Sequence, residues 1–231
     1  TASFMLGLTT DTQDITGTVL GECSTAITPA ALENALLPLR GEISQLPPMY
    51  SAVQVGGRRL YDLARAGKEI DRPCRTVSIY TLELVSYDEA TRQGVLDIAC
   101  SKGTYVRTII HDIGTALGCG GVLTALRRTE TLGYKLDCCC TLERLQELAD
   151  ADRLGEVLLP TETAFAPCPR LHLDDKQAKL FCNGVRLDSR RLKNPQEGVR
   201  LTVWQGDLFL GTAHIDPAEQ ELVMEKLFYL Q

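Results

Sequence analysis

Histidine and positive charge are scarce in this sequence, and long apolar runs are absent. The three His stand far apart, so a zinc site is poorly supported and no metal is expected. No stretch approaches the roughly 18 apolar residues of a membrane span. No basic, apolar, small-residue leader opens the chain, so a cytoplasmic protein free of membranes is the expectation. The nine Cys include no C-x-x-C pair, and Cys138-Cys139-Cys140 is a run that disulfide frameworks rarely use. Reduced, partly buried thiols follow. Lys and Arg number 24 against 30 Asp and Glu, a net charge of −6. That excludes a protein that coats nucleic acid indiscriminately, but not one that grips a single folded RNA through a local basic face. Internal repeats and low-complexity segments are also missing.

What is present is an ordinary globular composition, 44% hydrophobic and 23% charged over 231 residues. That length suits one large domain, or a medium one followed by a small one. The chain is organised around Cys100-Ser101-Lys102-Gly103-Thr104-Tyr105-Val106-Arg107, where a strand enters a tight Gly turn and the turn opens a helix. Such turns gather backbone N–H groups and side chains at one place. In the helix, Val106, Ile109, Ile110, Ile113 and Leu117 form a core stripe, and Gly118 closes it.

Residues 2–8 read as a buried strand already under way, so the chain is expected to begin inside an element. Residues 9–17 are dense in turn formers. Asp11 and Asp14 there fit local backbone hydrogen bonds, or else a metal or an acid–base pair. Thr28-Pro29 starts a helix with Leu32, Leu36 and Leu39 inward, ended by the stretch 41–48. Residues 49–57 read as a strand and a Gly turn, and Arg58 to Lys68 as a helix with a basic outer side. Arg58, Arg59, Arg65 and Lys68 near Tyr50 and Tyr61 fit a solvated face or an RNA contact. Strands follow at 76–87 and 95–100 around a hairpin turn. Gly120-Gly121 opens a short helix to Leu126, Thr129 to Leu136 reads as a strand, and residues 141–148 as a helix with Leu142, Leu145 and Leu148 in the core. Beyond Leu159-Pro160 the pattern changes to a small β-rich module. It has a helix at 174–181, a basic loop (Arg186, Arg190, Arg191, Lys193) and strands at 199–205, 208–214 and 222–229.

Five stretches together resemble the bacterial tRNA pseudouridine synthase B family. They are Leu6-Gly7 with Thr10-Asp11-Thr12-x-Asp14-x-x-Gly17; Pro47-Pro48-Met49-Tyr50-Ser51-Ala52; Gly57 to Tyr61 with Ala64 and Arg65; Cys100 to Arg107; and Leu126-Arg127-Arg128-Thr129. The resemblance implies an α+β fold: a mixed, mainly antiparallel sheet with flanking helices over residues 1–160, and a small PUA-like RNA-binding domain over 161–231. It implies a cofactor-free isomerase that converts uridine 55 in the tRNA T arm to pseudouridine; a monomer is the simple expectation for the chain. The target base is flipped out of the T loop, its bond to N1 is broken, and it is rejoined through carbon.

By the same resemblance, Arg107 pairs with a catalytic Asp, Tyr105 and Leu126 contact the substrate, and Lys102, Arg127 and Arg128 contact phosphates. Arg58, Arg59 and Arg65 join them as RNA-binding residues. Gln54 stands where the family usually has Lys. The family's Asp lies in a Gly-x-Leu-Asp-Pro-like loop upstream of the Leu-Gly stretch, and no such loop occurs here. The expectation is a chain lacking the N-terminal catalytic segment and inactive alone. Two alternatives stay open: a non-catalytic RNA-binding or tRNA-folding protein of this fold, and an enzyme in which Asp11 or Asp14 replaces the missing nucleophile.

Overall fold

The computed structural model describes residues 1–229. The chain divides into two compact units, Thr1–Leu136 and a second beginning at Asp137.

The first unit opens with β1 (Ala2–Leu6), whose alternate residues Ala2, Phe4 and Leu6 are buried. Next come β2 (Leu8–Thr10) and β3 (Val19–Glu22), which pair as a small antiparallel ribbon. The helix α1 (Pro29–Leu36) starts where Pro29 and a Thr28 cap place it. Thr28 Oγ1 accepts from the Ala31 N–H at 3.2 Å. The chain then forms β4 (Gly41–Gln45), β5 (Gln54–Val55), β6 (Arg58–Arg59) and α2 (Leu60–Arg65). Next follow β7 (Arg75–Asp88), β8 (Gln93–Cys100), α3 (Val106–Ala116) and β9 (Gly121–Leu126). A short hairpin of β10 (Glu130–Thr131) and β11 (Tyr134–Lys135) closes the unit.

Five strands form the main sheet in the order β4-β7-β8-β1-β9, and every neighbouring pair is antiparallel. The core beneath it joins Phe4, Leu6, Ile79, Leu82 and Leu96 to Leu32 and Leu36 of α1 and to Ile109, Ile110 and Ile113 of α3. Each of those α3 isoleucines is at most 1% exposed. Burying such a side chain contributes about 1.5–3 kcal/mol, which fixes the helix on the sheet.

Five local readings are corrected. Residues 129–136, expected as one strand, turn back at Leu132-Gly133 into the β10–β11 hairpin. Residues 41–45, expected to end a helix, form β4, because its backbone pairs with Arg75 to Ile79 of β7. Residues 121–126, expected to be helical, form β9. The run is short, and pairing with β1 buries Val122 and Leu123 in a way no lone helix turn would. Arg58 and Arg59 lie on a hairpin strand against Gln54 and Val55, not on a helix. Leu142, expected in a core, is 80% exposed.

In the second unit, α4 (Leu142–Asp150) is capped by Thr141 and α5 (Asp175–Cys182) by an Asp174–Gln177 capping box. Its sheet runs β12-β14-β15-β16-β13, where β12 is Arg170–His172, β13 Leu187–Asp188, β14 Leu201–Gln205, β15 Leu208–Asp216 and β16 Glu221–Leu227. The β12–β14 pair is parallel and the others antiparallel. Leu171, Phe181, Val203, Leu210 and Leu222 are at its centre.

Candidate functional site

Strand direction gathers the site. β4, β8 and β9 run the same way, opposite to β7 and β1, so their C-terminal ends lie at one end of the sheet. Gln45 closes β4, the turn Ser101–Tyr105 follows β8, and Leu126 closes β9.

The turn is held by its own polar groups. The Ser101 N–H donates to the Ser78 carbonyl at 2.8 Å, Ser101 Oγ accepts from the Ser78 N–H at 3.0 Å, and Thr104 Oγ1 donates to the Ser101 carbonyl at 2.9 Å. Gly103 has φ +87° with open space around it, so its backbone conformation alone demands glycine. Lys102 beside it is exposed. Tyr105 is the N-cap of α3 and is half-buried. Its N–H donates to Gln45 Oε1 at 2.8 Å, and Gln45 Nε2 donates to its carbonyl at 3.1 Å.

In the first turn of α3, the half-buried Arg107 reaches back over two loops. Its Nη2 donates to the Tyr50 carbonyl at 2.8 Å and its Nη1 to the Thr12 carbonyl at 3.4 Å. Thr108 Oγ1 donates to Gln13 Oε1 at 3.0 Å, a second tie to the same turn. Among the described residues no carboxylate forms an ion pair with Arg107. Asp11 and Asp14 are engaged locally. Asp11 accepts from the Thr18 N–H at 2.8 Å and from Tyr50 Oη at 3.4 Å. Asp14 accepts from the Thr16 N–H at 3.0 Å and from Thr16 Oγ1 at 2.7 Å. The two aspartates thus do the turn-building work that their residue types suggested.

Leu126 is 56% exposed, so it is not a core residue. It lines an open cleft of about 590 Å³ with Thr1, Ser3, Ala125, Arg127, Thr129 and Leu136. The cleft holds an apolar surface beside a cation.

The basic residues differ between the units. In the first, Arg58, Arg65, Lys102, Arg127 and Arg128 are exposed, and none forms an ion pair among the described residues. Arg59 donates to Tyr61 Oη at 3.1 Å. The guanidiniums of Arg59 and Arg65 lie 5.9 and 5.4 Å from the Tyr61 ring centre. Arg58, Arg59 and Lys68 line a second open cleft of about 420 Å³ with Gln54 and Asp62. In the second unit Arg186 pairs with Glu221 at 3.5 Å, Arg190 with Asp188 at 2.9 Å and Arg200 with Glu225 at 2.5 Å. Hydrogen bonds from Arg190 hold the Asp188 carboxyl below the usual range, as such a pairing should. Five exposed cations of the first unit are therefore free to meet phosphate, while Arg186, Arg190 and Arg200 of the second are held by carboxylates.

Among the described residues no cluster of three or more His, Cys, Asp or Glu could hold a metal. No helix among them is long and apolar enough to cross a membrane. The sequence reading missed Gln45, although alternation along Glu42-Ile43-Ser44-Gln45 puts its side chain on the inward face with Ile43.

Residues 1–106 match the TruB family pseudouridylate synthase N-terminal domain, and residues 107–166 the tRNA pseudouridylate synthase B C-terminal domain. A tRNA pseudouridine synthase B from Azoarcus is 43% identical over 213 residues, covering 91% of this chain and 68% of that protein. The chain belongs to the TruB pseudouridine synthase family. Residues 169–220 match a third TruB domain, Pseudouridine synthase II TruB, C-terminal. The Ralstonia pickettii tRNA pseudouridine synthase B is 43% identical over 184 residues, and the chain spans 58% of its length. The solved structure of a Cbf5-Nop10-Gar1 complex includes a chain of the same fold. It has a TM-score of 0.72 at 20% identity, covering 99% of this chain and 65% of that one. The chain therefore has the α+β pseudouridine synthase fold with a small PUA-like C-terminal domain.

Proposed function

We propose that this chain carries the uridine wall and the RNA grip of a tRNA pseudouridine synthase acting on the T arm. The observation that carries this is the anchored Arg107. It has a half-buried guanidinium at the sheet end, held by two carbonyls and with no carboxylate of its own among the described residues. Two neutral acceptors leave its positive charge uncompensated. A guanidinium so placed favours an incoming carboxylate in its ionised form and aims it.

In this reading the target uridine leaves the T loop, at a cost of a few kcal/mol in lost stacking. Tyr105 and Leu126 face the base. Arg107 holds an Asp that attacks to begin the exchange of the C–N for the C–C glycosidic bond. The reading assigns no cofactor, and as an isomerisation the reaction consumes no oxidant, reductant or group donor. Lys102, Arg58, Arg59, Arg65, Arg127 and Arg128 take the phosphates. The break between matched spans at 166 and 169 supports a functional division near residue 160. Residues 1–160 then do the chemistry and residues 161–231 add RNA contacts, in a cytoplasmic monomer. Residues 1–231 contain no Gly-x-Leu-Asp-Pro-like loop, so this chain by itself binds the T arm without isomerising it.

The test replaces the matching segment of the Azoarcus relative with this chain. Tritium release from C5 of uridine in a T-arm stem-loop reports turnover. The chimaera should release tritium from one uridine, and the isolated chain should bind and release none. A chimaera that folds and binds but never turns over would favour the non-catalytic RNA-binding reading. Turnover by the isolated chain, abolished by Asp11→Asn, would favour Asp11 as nucleophile.

A further inference from the structure

One buried polar side chain grips the site from outside it. Gln45, the last residue of β4, is 2% exposed. Both halves of its amide are spent on a single residue: Oε1 accepts from the Tyr105 N–H and Nε2 donates to the Tyr105 carbonyl. A carboxamide donates and accepts from separate atoms in one plane, so it can clamp the two backbone groups of one residue, which an acceptor-only carboxylate could not. Further along the same segment, the Tyr50 carbonyl accepts from Arg107 Nη2. The end of β4 and the stretch that follows it thus hold the start of α3 twice, once at the backbone of Tyr105 and once at the guanidinium of Arg107. The ladder between β4 and β7 needs only backbone groups, so the side chain of Gln45 is not required to build the strand.

We propose that Gln45 is a positioning residue for the base-binding wall. It fixes the backbone dihedrals of Tyr105, and with them the direction in which the Tyr105 ring leaves the chain. Gln45 itself need not touch RNA. The inference rests on the reading of Tyr105 as a base contact.

The experiment measures the affinity of the full chain for two T-arm stem-loops, one with uridine at the target position and one abasic there. Their ratio reports contacts to the base, and the abasic affinity reports contacts to the RNA backbone. Stacking of one base on an aromatic ring corresponds to roughly 5- to 150-fold in affinity, so Tyr105→Ala should lower the ratio by about that much. Gln45→Leu, similar in volume, should lower the ratio at least about threefold while leaving the abasic affinity within about twofold, because the phosphate contacts are made by other side chains, most of them away from this turn. Gln45→Glu keeps the acceptor for the Tyr105 N–H and should retain more of the ratio than Gln45→Leu. If Tyr105→Ala leaves the ratio unchanged, the base contact is wrong and the role of Gln45 goes with it. If Tyr105→Ala lowers the ratio but Gln45→Leu does not, the base contact stands and the positioning role is overturned. Equal losses on both RNAs with Gln45→Leu would also overturn it, as the mark of a merely structural residue. Should Gln45→Leu not fold, Gln45→Met, equally unable to bond the Tyr105 backbone, decides, and an unchanged ratio there overturns the proposal.

Discussion

Replacing one free cation of the first unit should change how RNA binding responds to salt. Arg58, Arg59, Arg65, Lys102, Arg127 and Arg128 carry no carboxylate partner among the described residues, on a chain whose net charge is −6. Each phosphate neutralised contributes about 0.7–0.9 to the slope of log K against log salt. If all these charges meet phosphates, the slope is about −4 to −5, and affinity falls roughly 300- to 1,000-fold between 50 and 200 mM salt. Arg127→Ala should then weaken T-arm binding and make the slope less steep by about 0.7–0.9. Arg190→Ala is the contrast, because that guanidinium is already paired with Asp188 at 2.9 Å, and its slope should move far less. Anisotropy titrations of a labelled stem-loop over a salt series measure both. An unchanged slope for Arg127→Ala, or an equal change for Arg190→Ala, would refute the assignment of phosphate contacts from unpaired charge.

Three further outcomes follow from packing and charge. A Cβ at Gly114 would lie 2.2 Å from the backbone of Gly120 and Gly121. Gly114→Ala should therefore destabilise by about 1–3 kcal/mol in urea unfolding, overriding the gain of about 1 kcal/mol that helix propensity alone would give. Burial pushes the Asp112 carboxyl up, against the pull of neighbouring His111. The fold then holds this proton more tightly than the unfolded chain, so stability falls as pH rises through and above the ordinary carboxylate range. Asp112→Asn should melt higher than the parent at neutral pH, with the difference closing below about pH 4; a difference that widens in acid would contradict the burial. Leu126→Ser should leave the melting temperature nearly unchanged, since the side chain is 56% exposed, while reducing the preference for uridine over an abasic site. A large loss of stability would make Leu126 a packing residue after all.

The parts of this molecule that the sequence made legible are those decided locally. The α3 stripe is visible because Ile109, Ile110 and Ile113 repeat with the helical period. The α1 start is visible in Thr28-Pro29, and both survive in the structure. What was misread is decided by distant partners. The run Gly121 to Leu126 is short enough to suit helix or strand, and only its pairing with β1 settles the matter. Arg58 and Arg59 look like a helix start until Gly56 and Gly57 turn them back onto Gln54 and Val55. The site divides the same way. Tyr105 and Arg107 stand out because they sit in a compact motif. Gln45 does not, because its partner lies 60 residues away in the chain.

The central claim is that Arg107 serves the chemical step rather than RNA binding. The most direct measurement compares Arg107→Ala and its parent in the Azoarcus chimaera, with single-turnover tritium release for the chemical step and T-arm affinity at equilibrium. Arg107→Ala should also lower the melting temperature, because it loses a charge-assisted bond to the Tyr50 carbonyl worth about 1.5–3 kcal/mol; both assays are therefore run well below that transition. The expected result is a fall of about 100-fold or more in the chemical step, the scale of losing a group that orients the reacting atoms by even about 1 Å, with T-arm affinity held within a few-fold. Equal losses in rate and affinity would contradict the claim and make Arg107 a structural tie between α3 and the loops at Thr12 and Tyr50.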